Sequence, residues 1–326
     1  MLKDKFNRLI NYLRISVTDR CNLRCKYCMP ANGIQNYDNN ELLTYEEIYR
    51  IVNNASKIGI NRVRITGGEP LVRKDIDKLV SMISGIKEID DIAMTTNGIL
   101  LENYAEKLKK AGLKRLNISL DTFDKEKFKD LTRGGDINLV FEGIKTAIEY
   151  DFQLVKINVL IYDNLLESDI LKFLELSSYN KIHIRFLEYM PVFNQNFTLK
   201  MNNINIKNKI LEIANTIGNF DKKYVYGNET SEDYQFTGGK GTFGFILPIT
   251  NKFCYKCNRL RITSNGFVKL CLHSNKKFNI KELLRKNCSD IELQGFFKKI
   301  ILEKPESHNL DKIPLINDYF MCQIGG

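Results

Sequence analysis

Between residues 12 and 190, six short apolar runs alternate with amphipathic stretches, and this alternation constrains the fold more than any other feature of the chain. Strands joined by crossover helices run parallel, because each helix returns the chain to the same end of the sheet. The alternation therefore predicts an α/β fold built from six βα units. The predicted strands are rich in β-branched residues and comprise Leu13–Val17, Arg62–Thr66, Ile92–Thr96, Arg115–Leu120, Val155–Ile161 and Ile182–Leu187.

The segments between these runs are predicted as helices. A capping box at residues 44–47 begins the first helix, and apolar residues then recur at helical spacing. A closed eight-stranded barrel would need two further βα units, which the sequence does not supply. We therefore expect an open, partial six-unit βα barrel over residues 1–190, with ligand-binding residues at the carboxyl ends of its strands.

The pattern changes at about residue 191, where an Asn-rich, aperiodic stretch begins. Beyond it we predict a helix near Asn208–Ile217 and a hairpin that turns at Ser264-Asn265-Gly266. Two short helices are predicted near Ile280–Arg285 and Asp290–Ile301. Residues 191–326 are therefore expected to form a C-terminal region separate from the barrel.

Charge and hydropathy narrow the classes of function. The chain has 49 basic and 39 acidic residues, a formal net charge of +10. This surplus suits a phosphorylated small molecule, but no basic tail concentrates it, so nucleic-acid binding gains little support. The apolar runs are far shorter than the ~20 residues that span a bilayer, and the N-terminus lacks the apolar stretch of a signal peptide. We expect a soluble, cytoplasmic protein that binds neither nucleic acid nor membrane.

The cysteines indicate metal chemistry. Eight cysteines without a secretory signal argue against a disulfide framework, and six of them fall into two groups of three. The first group, Cys21, Cys25 and Cys28, has the spacing C-x3-C-x2-C directly after the first strand. Three thiolates can converge on one soft metal centre, and a four-iron cluster held by three cysteines keeps one iron open. A structural zinc site would require a fourth ligand, which no neighbouring residue provides.

This loop, with Tyr27 before its last cysteine, resembles that of the radical S-adenosylmethionine enzymes. The resemblance implies a [4Fe–4S] cluster whose open iron chelates the methionine end of S-adenosylmethionine, so that one electron yields a 5′-deoxyadenosyl radical. The segment Thr66–Pro70 is similar to the family's glycine-rich stretch near the methionine group. The residues that the resemblance assigns to S-adenosylmethionine are Tyr27, Gly68, Ser119 and Met190.

The second group, Cys254, Cys257 and Cys271, has a predicted hairpin between its second and third members. Zinc with His273 as a fourth ligand is one interpretation of this spacing. The segment Cys254–Arg261 resembles instead the auxiliary-cluster motif of the GTP 3′,8-cyclases of molybdenum cofactor biosynthesis, the MoaA family. Residues 13–21, 64–70 and the terminal Gly325-Gly326 share this resemblance. It implies a second [4Fe–4S] cluster in the C-terminal extension, with an open iron that binds the guanine ring of GTP.

The same resemblance implies a substrate site and a reaction. The radical would remove hydrogen from C3′ of the GTP ribose, and C3′ would then bond to C8 of guanine to give 3′,8-cyclo-7,8-dihydro-GTP. Arg259, Arg261, Gly325 and Gly326 would act in catalysis. Charges within apolar strands must be paired or face a ligand, which favours the strand cations among the implied GTP ligands. Those ligands are Arg14, Arg64, Thr95, Lys156, Arg259, Leu260 and Arg261.

The chain departs from the family in two places: the loop after Met190 lacks the usual glycines, and Cys322 replaces a small polar residue. Neither Cys288 nor Cys322 has a partner at ligand spacing, so neither is expected to bind metal. The implied partners are an electron donor of flavodoxin or ferredoxin type and a downstream cyclic pyranopterin monophosphate synthase that accepts the product, and a homodimer is allowed. Two other classes stay open, namely a peptide-modifying radical maturase and a non-catalytic zinc or RNA-binding protein.

Overall fold

The computed structural model describes residues 1–161, 165–190, 203–224, 230–308 and 319–325. Gly326, the last residue of the predicted double-glycine tail, lies outside the described residues, as does residue 191 at the predicted domain boundary. Within the described ranges, no helix is long and apolar enough to cross a membrane.

Six parallel strands form the centre of the sheet, and their bounds lie within two residues of those predicted. Each strand pairs in parallel with the next along the chain, as expected for successive βα units. The strands are β1 (Tyr12–Ser16), β2 (Arg62–Thr66), β3 (Asp91–Thr96), β4 (Arg115–Ser119), β5 (Leu154–Ile161) and β6 (Ile182–Glu188).

The helices supply much of the core. The predicted capping box is present, because Thr44 accepts from the backbone of Glu47 and the Glu47 carboxylate accepts from the backbone of Thr44. Apolar residues of these helices pack against the outward-facing residues of the strands in one large cluster. The helices of the described chain are α1 (Tyr45–Lys57), α2 (Ile76–Ser84), α3 (Leu101–Lys110), α4 (Lys125–Thr132), α5 (Ile137–Glu149), α6 (Glu167–Tyr179), α7 (Asn203–Ile217), α8 (Ile280–Arg285), α9 (Asp290–Ile301) and α10 (Met321–Ile324).

The C-terminal strands join the same sheet at both of its edges. On one edge β9 pairs in parallel with β6, and on the other β10 pairs in parallel with β1. The described strands form an open sheet in the order β12-β11-β10-β1-β2-β3-β4-β5-β6-β9-β8-β7. The C-terminal strands are β7 (Phe220–Lys222), β8 (Glu232–Phe236), β9 (Thr242–Ile246), β10 (Arg259–Ile262), β11 (Phe267–Lys269) and β12 (Lys277–Asn279).

This topology confirms the open, partial barrel and adds to it. The expected hairpin is formed by β10 and β11, and Gly266 in its turn has a φ of 82°, a value that favours glycine. The C-terminal region was expected as an appendage, whereas its strands continue the barrel sheet on both sides. The division of the chain into two domains at residue 190 stays a prediction.

Candidate active site

The two faces of the central strands differ in polarity, because side chains alternate along each strand. On β1, Leu13 and Ile15 face the apolar core, whereas Arg14 faces the concave side of the sheet. The same alternation places Arg64 of β2 and Arg261 of β10 on the concave side. The concave face is therefore the polar one, as the charged positions within apolar strands predicted.

Three of these arginines stand side by side. Arg14 pairs in register with Arg261 on one neighbouring strand and with Arg64 on the other. Paired strands lie about 4.8 Å apart, so three like charges face the same space at close range, which is destabilising without a counter-charge. All three side chains are buried. Burial, followed by Arg261 and Arg64, holds the pKa of Arg14 well below its usual value.

The counter-charges for this row are scarce. Neither Arg64 nor Arg261 forms an ion pair with a carboxylate among the described residues, and the Nη1 of Arg261 donates to the carbonyl oxygen of Gly325 at 2.7 Å. The concave-face carboxylates of Asp91 and Asp233 are engaged elsewhere, since Asp91 pairs with Arg115 and Asp233 contacts His183 at 3.3 Å. Arg64 and Arg261 therefore suit an anionic ligand, because no carboxylate of the described residues pairs with them.

A cavity of about 310 Å³ opens above this row. Its wall combines the strand arginines with the loop of the first cysteine group. Most of the residues predicted for the site lie on the wall, and the predicted residues found there are Arg14, Cys21, Cys25, Tyr27, Cys28, Arg64, Gly68, Thr95, Ser119, Met190, Arg259 and Arg261.

Acidic residues surround the first cysteine loop, in contrast to the cationic arginine row. The hydroxyl of Tyr27 donates to Asp121 at 2.7 Å. The carboxylate of Glu69 is 1 % exposed and accepts from the Thr96 hydroxyl and the Asn97 backbone, both at 2.7 Å. Desolvation by burial raises the pKa of Glu69 to about 7, against the lowering effect of these hydrogen bonds.

The thiols of this group are poor acids in their present surroundings. Burial, followed by the nearby Glu69 and Cys28, raises the pKa of Cys21 to about 12. Burial and the charges of Cys28 and Asp121 likewise raise the pKa of Cys25. Thiolates here require a strong local cation, and a cluster iron is such a cation. The residues thus fit a thiolate-held metal group by their chemistry.

The fit does not rest on sulfur–sulfur distances. Among the described residues, no three potential ligand side chains meet the geometry of a metal site. The shared cavity wall and the chemistry of the three thiols favour a cluster at this loop.

The second cysteine group lies beside the cavity and not on its wall. Cys254 begins a single helical turn, Cys254–Lys256, and Cys257 ends it two residues before β10. Burial raises the pKa of Cys257, but the charges of Lys304 and Arg259 outweigh burial, and the pKa lies below its usual value. His273 is buried, and desolvation lowers its pKa to about 3.

Two residues assigned to the nucleotide lie away from the cavity wall. Leu260 alternates with Arg259 and Arg261, so its side chain is in the apolar core, and any contact with a ligand would use its backbone. Lys156 is 1 % exposed and lies one inward position below Asn158, which does line the cavity. Burial, followed by Arg185 and Arg115, lowers the pKa of Lys156. Lys156 therefore belongs to a deeper charged layer of the concave face.

The C-terminal tail enters the site. Gly325 has a φ of 79°, and a Cβ at this position would come within 2.2 Å of the Thr66 side chain. Ile324 is buried against Tyr319, and Met321 and Cys322 line the cavity. The tail thus reaches the arginine row through Gly325. The placement of Gly326 lies outside the described residues.

Several site residues were missed by sequence reasoning. Arg185 of β6 lines the cavity and donates to Asn117, and burial lowers its pKa to about 9. The signal was available, because Arg185 is a charge within an apolar strand, as Arg14 and Arg64 are. Tyr12 and Asp121 also line the cavity. A tyrosine at the start of a strand and an aspartate after one gave no comparable signal.

Buried polar atoms on the wall identify the kind of ligand. The hydroxyls of Tyr12 and Thr95, the Oδ1 of Asn158 and the Nε of Arg64 are buried without a hydrogen-bond partner among the described residues. Buried polar groups are normally satisfied, so this cluster of donors and acceptors indicates a polar ligand.

Comparison with known proteins agrees with this geometry. Residues 15–177 match the family model of the radical SAM superfamily, and residues 182–310 match that of the Molybdenum Cofactor Synthesis C domain. The chain is 43 % identical to the GTP 3′,8-cyclase of Syntrophomonas wolfei and 44 % identical to that of Clostridium botulinum strain Hall, in each case over 99 % of both chains. The chain belongs to the GTP 3′,8-cyclase family.

Two solved structures share the fold of this chain. The chain is similar to Streptococcus suis SuiB bound to S-adenosylmethionine, with a TM-score of 0.65 and 21 % identity over 96 % of this chain and 76 % of SuiB. The complex of SuiB with the precursor peptide SuiA gives a TM-score of 0.66 at 20 % identity, over 98 % of this chain and 77 % of that one. At this identity the likeness concerns the fold alone.

Proposed function

We propose that this chain is a GTP 3′,8-cyclase that forms 3′,8-cyclo-7,8-dihydro-GTP at the cavity between β1, β2 and β10. One observation carries the proposal: a single cavity wall holds both the first cysteine loop and the buried arginine row. A cofactor that generates a radical and a polyanionic substrate would meet in that space. The relatives named for this reaction match the whole chain, which supports the same substrate here.

The first cysteine group would hold a [4Fe–4S] cluster through Cys21, Cys25 and Cys28. When bound there, the cluster together with S-adenosylmethionine would supply the carbon radical that takes hydrogen from C3′ of the ribose. The surrounding residues suit this cofactor, because its ammonium and sulfonium groups are cationic and Glu69 and Asp121 on the wall are acidic. Gly68 packs so closely on the Arg20 backbone that any side chain would clash, which holds the loop beside the cysteines.

The arginine row would bind the nucleotide. A triphosphate carries several negative charges, and each guanidinium can present two donors to phosphate oxygens. Arg14, Arg64 and Arg261 provide such donors from adjacent strands, and Arg185 faces them from β6. Orientation is their contribution, because the bond between C3′ and C8 forms only when the ribose and the base are held close together.

The second cysteine group would hold a second [4Fe–4S] cluster that binds the guanine ring. The cationic surroundings of Cys257 favour the thiolate form that any metal would require. A zinc site with His273 is the competing interpretation, and iron analysis separates the two.

The tail would close the site. Gly325 lies against Thr66 of β2 and accepts from Arg261, so the end of the chain borders the space proposed for the substrate. A backbone without a side chain fits this narrow path. We infer that the tail, including Gly326, orients the nucleotide and excludes water during the reaction.

A peptide-modifying maturase is the second candidate, and the fold likeness to SuiB, solved with a precursor peptide, favours it. The buried arginines argue against it, since a peptide does not call for a row of guanidinium groups within the barrel.

We further propose a flavodoxin- or ferredoxin-type electron donor and a downstream cyclic pyranopterin monophosphate synthase as partners, all in the cytoplasm. A homodimer stays a prediction.

Anaerobic reconstitution followed by assay with deuterated GTP tests the proposal. The protein should bind close to eight iron and eight sulfide ions, as expected for two four-iron clusters. With S-adenosylmethionine, a reductant and GTP deuterated at C3′, the deuterium should appear in 5′-deoxyadenosine, and a cyclised nucleotide should form. The Cys21→Ser variant is the control. Bound zinc without iron, or cleavage of S-adenosylmethionine with no transfer from C3′, would contradict the proposal.

A further inference from the structure

Lys304 is a buried ammonium group without a carboxylate. It follows α9 and is 2 % exposed, and its Nζ donates to the carbonyl oxygen of Arg259 at 2.8 Å and to that of Leu270. Among the described residues, no aspartate or glutamate forms an ion pair with it. Carbonyl groups alone compensate a buried charge poorly, so the site calls for an anion nearby.

The two carbonyl groups belong to the backbone that carries the second cysteine group. Arg259 lies two residues after Cys257, and Leu270 directly precedes Cys271. One ammonium group thus ties together the two chain segments that present these thiols. Burial lowers the pKa of Lys304, and the charges of Cys257 and Cys271 act against burial by raising it.

Arg8 ties Cys254, the remaining cysteine of the second group, to the segment that follows Lys304. Its guanidinium donates to the carbonyl oxygens of Cys254 and Glu306, both at 2.8 Å, and to that of Pro305 at 2.7 Å. Asp4 holds Arg8 in place through an ion pair of 2.6 Å. Arg8 thus has its own carboxylate, whereas Lys304 does not. The Lys304 ammonium group is directed at the backbone beside Cys257 and Cys271, so an anion held by these cysteines would lie close to it.

We propose that Lys304 is the buried counter-charge and positioning residue of the second cluster. The inference rests on the proposed function, which places a [4Fe–4S] cluster on Cys254, Cys257 and Cys271. Such a cluster with three thiolates carries net negative charge, which the ammonium group stabilises at short range. A neighbouring cation also favours addition of an electron, so Lys304 raises the reduction potential of this cluster.

The test uses the full chain with Cys21, Cys25 and Cys28 changed to Ser, so that only the second site can hold iron. In this background, Lys304→Gln keeps hydrogen bonding but removes the charge, and Lys304→Arg keeps the charge. Lys276→Gln is the matched control, because Lys276 is an exposed lysine paired with Glu303. The measurements are iron and sulfide content, midpoint potential and the temperature of unfolding.

We expect Lys304→Gln to disfavour reduction of the cluster about ten-fold, a fall of about 59 mV for one electron, with the Lys276→Gln variant unchanged. Loss of iron from Lys304→Gln at an unaltered unfolding temperature, with iron retained in Lys304→Arg, would also support the proposal. Equal iron and potential in Lys304→Gln and its parent would overturn it. Loss of iron and stability in both Lys304 variants would overturn it too, since the residue would then be a structural tie only.

Failure of the proposed function gives a different result. If the parent with the three serines binds no iron, the second cluster itself is absent, and this inference falls with it. Binding of zinc by that parent has the same meaning. In either case, a comparison of Cys21→Ser with the unaltered chain still tests separately whether the first cysteine group supports cleavage of S-adenosylmethionine.

Discussion

The two cysteine groups each supply three thiols, but the charges around them are opposite. Glu69 and Asp121 raise the pKa of thiols in the first group, in the same direction as burial. Lys304 and Arg259 lower the pKa of Cys257 in the second group, against burial. Arg259 belongs to the second motif itself, whereas Glu69, Asp121 and Lys304 are brought in by distant parts of the chain.

The opposite surroundings suggest a division of roles within one cavity. An acidic wall beside the first group suits a cofactor with cationic groups, and a basic wall beside the second group suits a triphosphate. S-adenosylmethionine and GTP would then be directed to opposite ends of the cavity, and neither would compete for the site of the other. Spacing locates both thiol sets in the sequence, and the charges around each set then indicate which ligand it would meet.

The largest effects should come from removing a ligand of each group. Cys21→Ser should abolish cleavage of S-adenosylmethionine, because the cluster that reduces it would lose a ligand. Cys254→Ser should leave some uncoupled cleavage while cyclisation fails, because only placement of the substrate would be damaged. Chromatography of 5′-deoxyadenosine and of the cyclised nucleotide measures both. Equal loss of both products in the two variants would remove the division of roles.

Deletion of Gly325 and Gly326 should affect only the basic end of the cavity. We expect cyclisation to fall about 10²-fold or more, because the nucleotide would lose its orientation, while both clusters, thermal stability and cleavage of S-adenosylmethionine stay largely intact. A synthetic peptide that ends in Met-Cys-Gln-Ile-Gly-Gly is expected to restore part of the activity. Full cyclisation by the truncated chain would show that the tail has no role in the reaction.

Arg64→Ala should weaken binding of GTP about ten-fold or more, because one charge-assisted contact with phosphate is worth roughly 1.5–3 kcal/mol. The loss should be smaller for guanosine, and binding of GTP by the parent should weaken with salt. Lys57→Ala on the exposed end of α1 is a matched control that should bind GTP as the parent does. If the parent binds GTP and guanosine equally well, the arginine row does not bind the triphosphate.

The acidic end should show a pH dependence that the basic end lacks. The folded-state pKa of Glu69 is raised to about 7, so its negative charge is present above that pH and is lost below it. We expect binding of S-adenosylmethionine to weaken about ten-fold between pH 8 and pH 6, as the ionised fraction of Glu69 falls by that factor. Glu69→Gln should bind weakly with a flat profile. The same pH dependence in Glu69→Gln and the parent would exclude Glu69 as its source.

Sequence reasoning predicted the central strands closely, because short apolar runs and the alternation of side chains along a strand are local features of the sequence. Twelve of the residues that it assigned to the site line the cavity. Charges within apolar strands and the spacing of cysteines are local signals, so they can be recognised in the sequence. It did not predict which C-terminal strand joins which edge, because the pairing of β9 with β6 and of β10 with β1 depends on distant contacts. Lys304 was missed for the same reason, as its partners lie 34 and 45 residues away.

The smallest effect should come from the two cysteines outside the groups. Cys288 is buried in the apolar core. Cys322 is different, because the structure brings it to the first group, where its hydrogen bond with Cys28, followed by burial, raises the pKa of Cys28. Cys322 has no partner at ligand spacing along the chain, so its contact with Cys28 depends on the fold. A hydroxyl can replace the thiol in that hydrogen bond, and the three thiols of the first group already leave one iron open, as the cofactor requires.

We therefore expect Cys288→Ser with Cys322→Ser to keep the iron and sulfide content of the parent after reconstitution. Cleavage of S-adenosylmethionine should change less than about two-fold, since exchanges that keep a hydrogen bond cost little. A loss of one cluster's worth of iron in the Cys322→Ser single variant would make Cys322 a ligand, and the first site would then have no open iron for a cofactor.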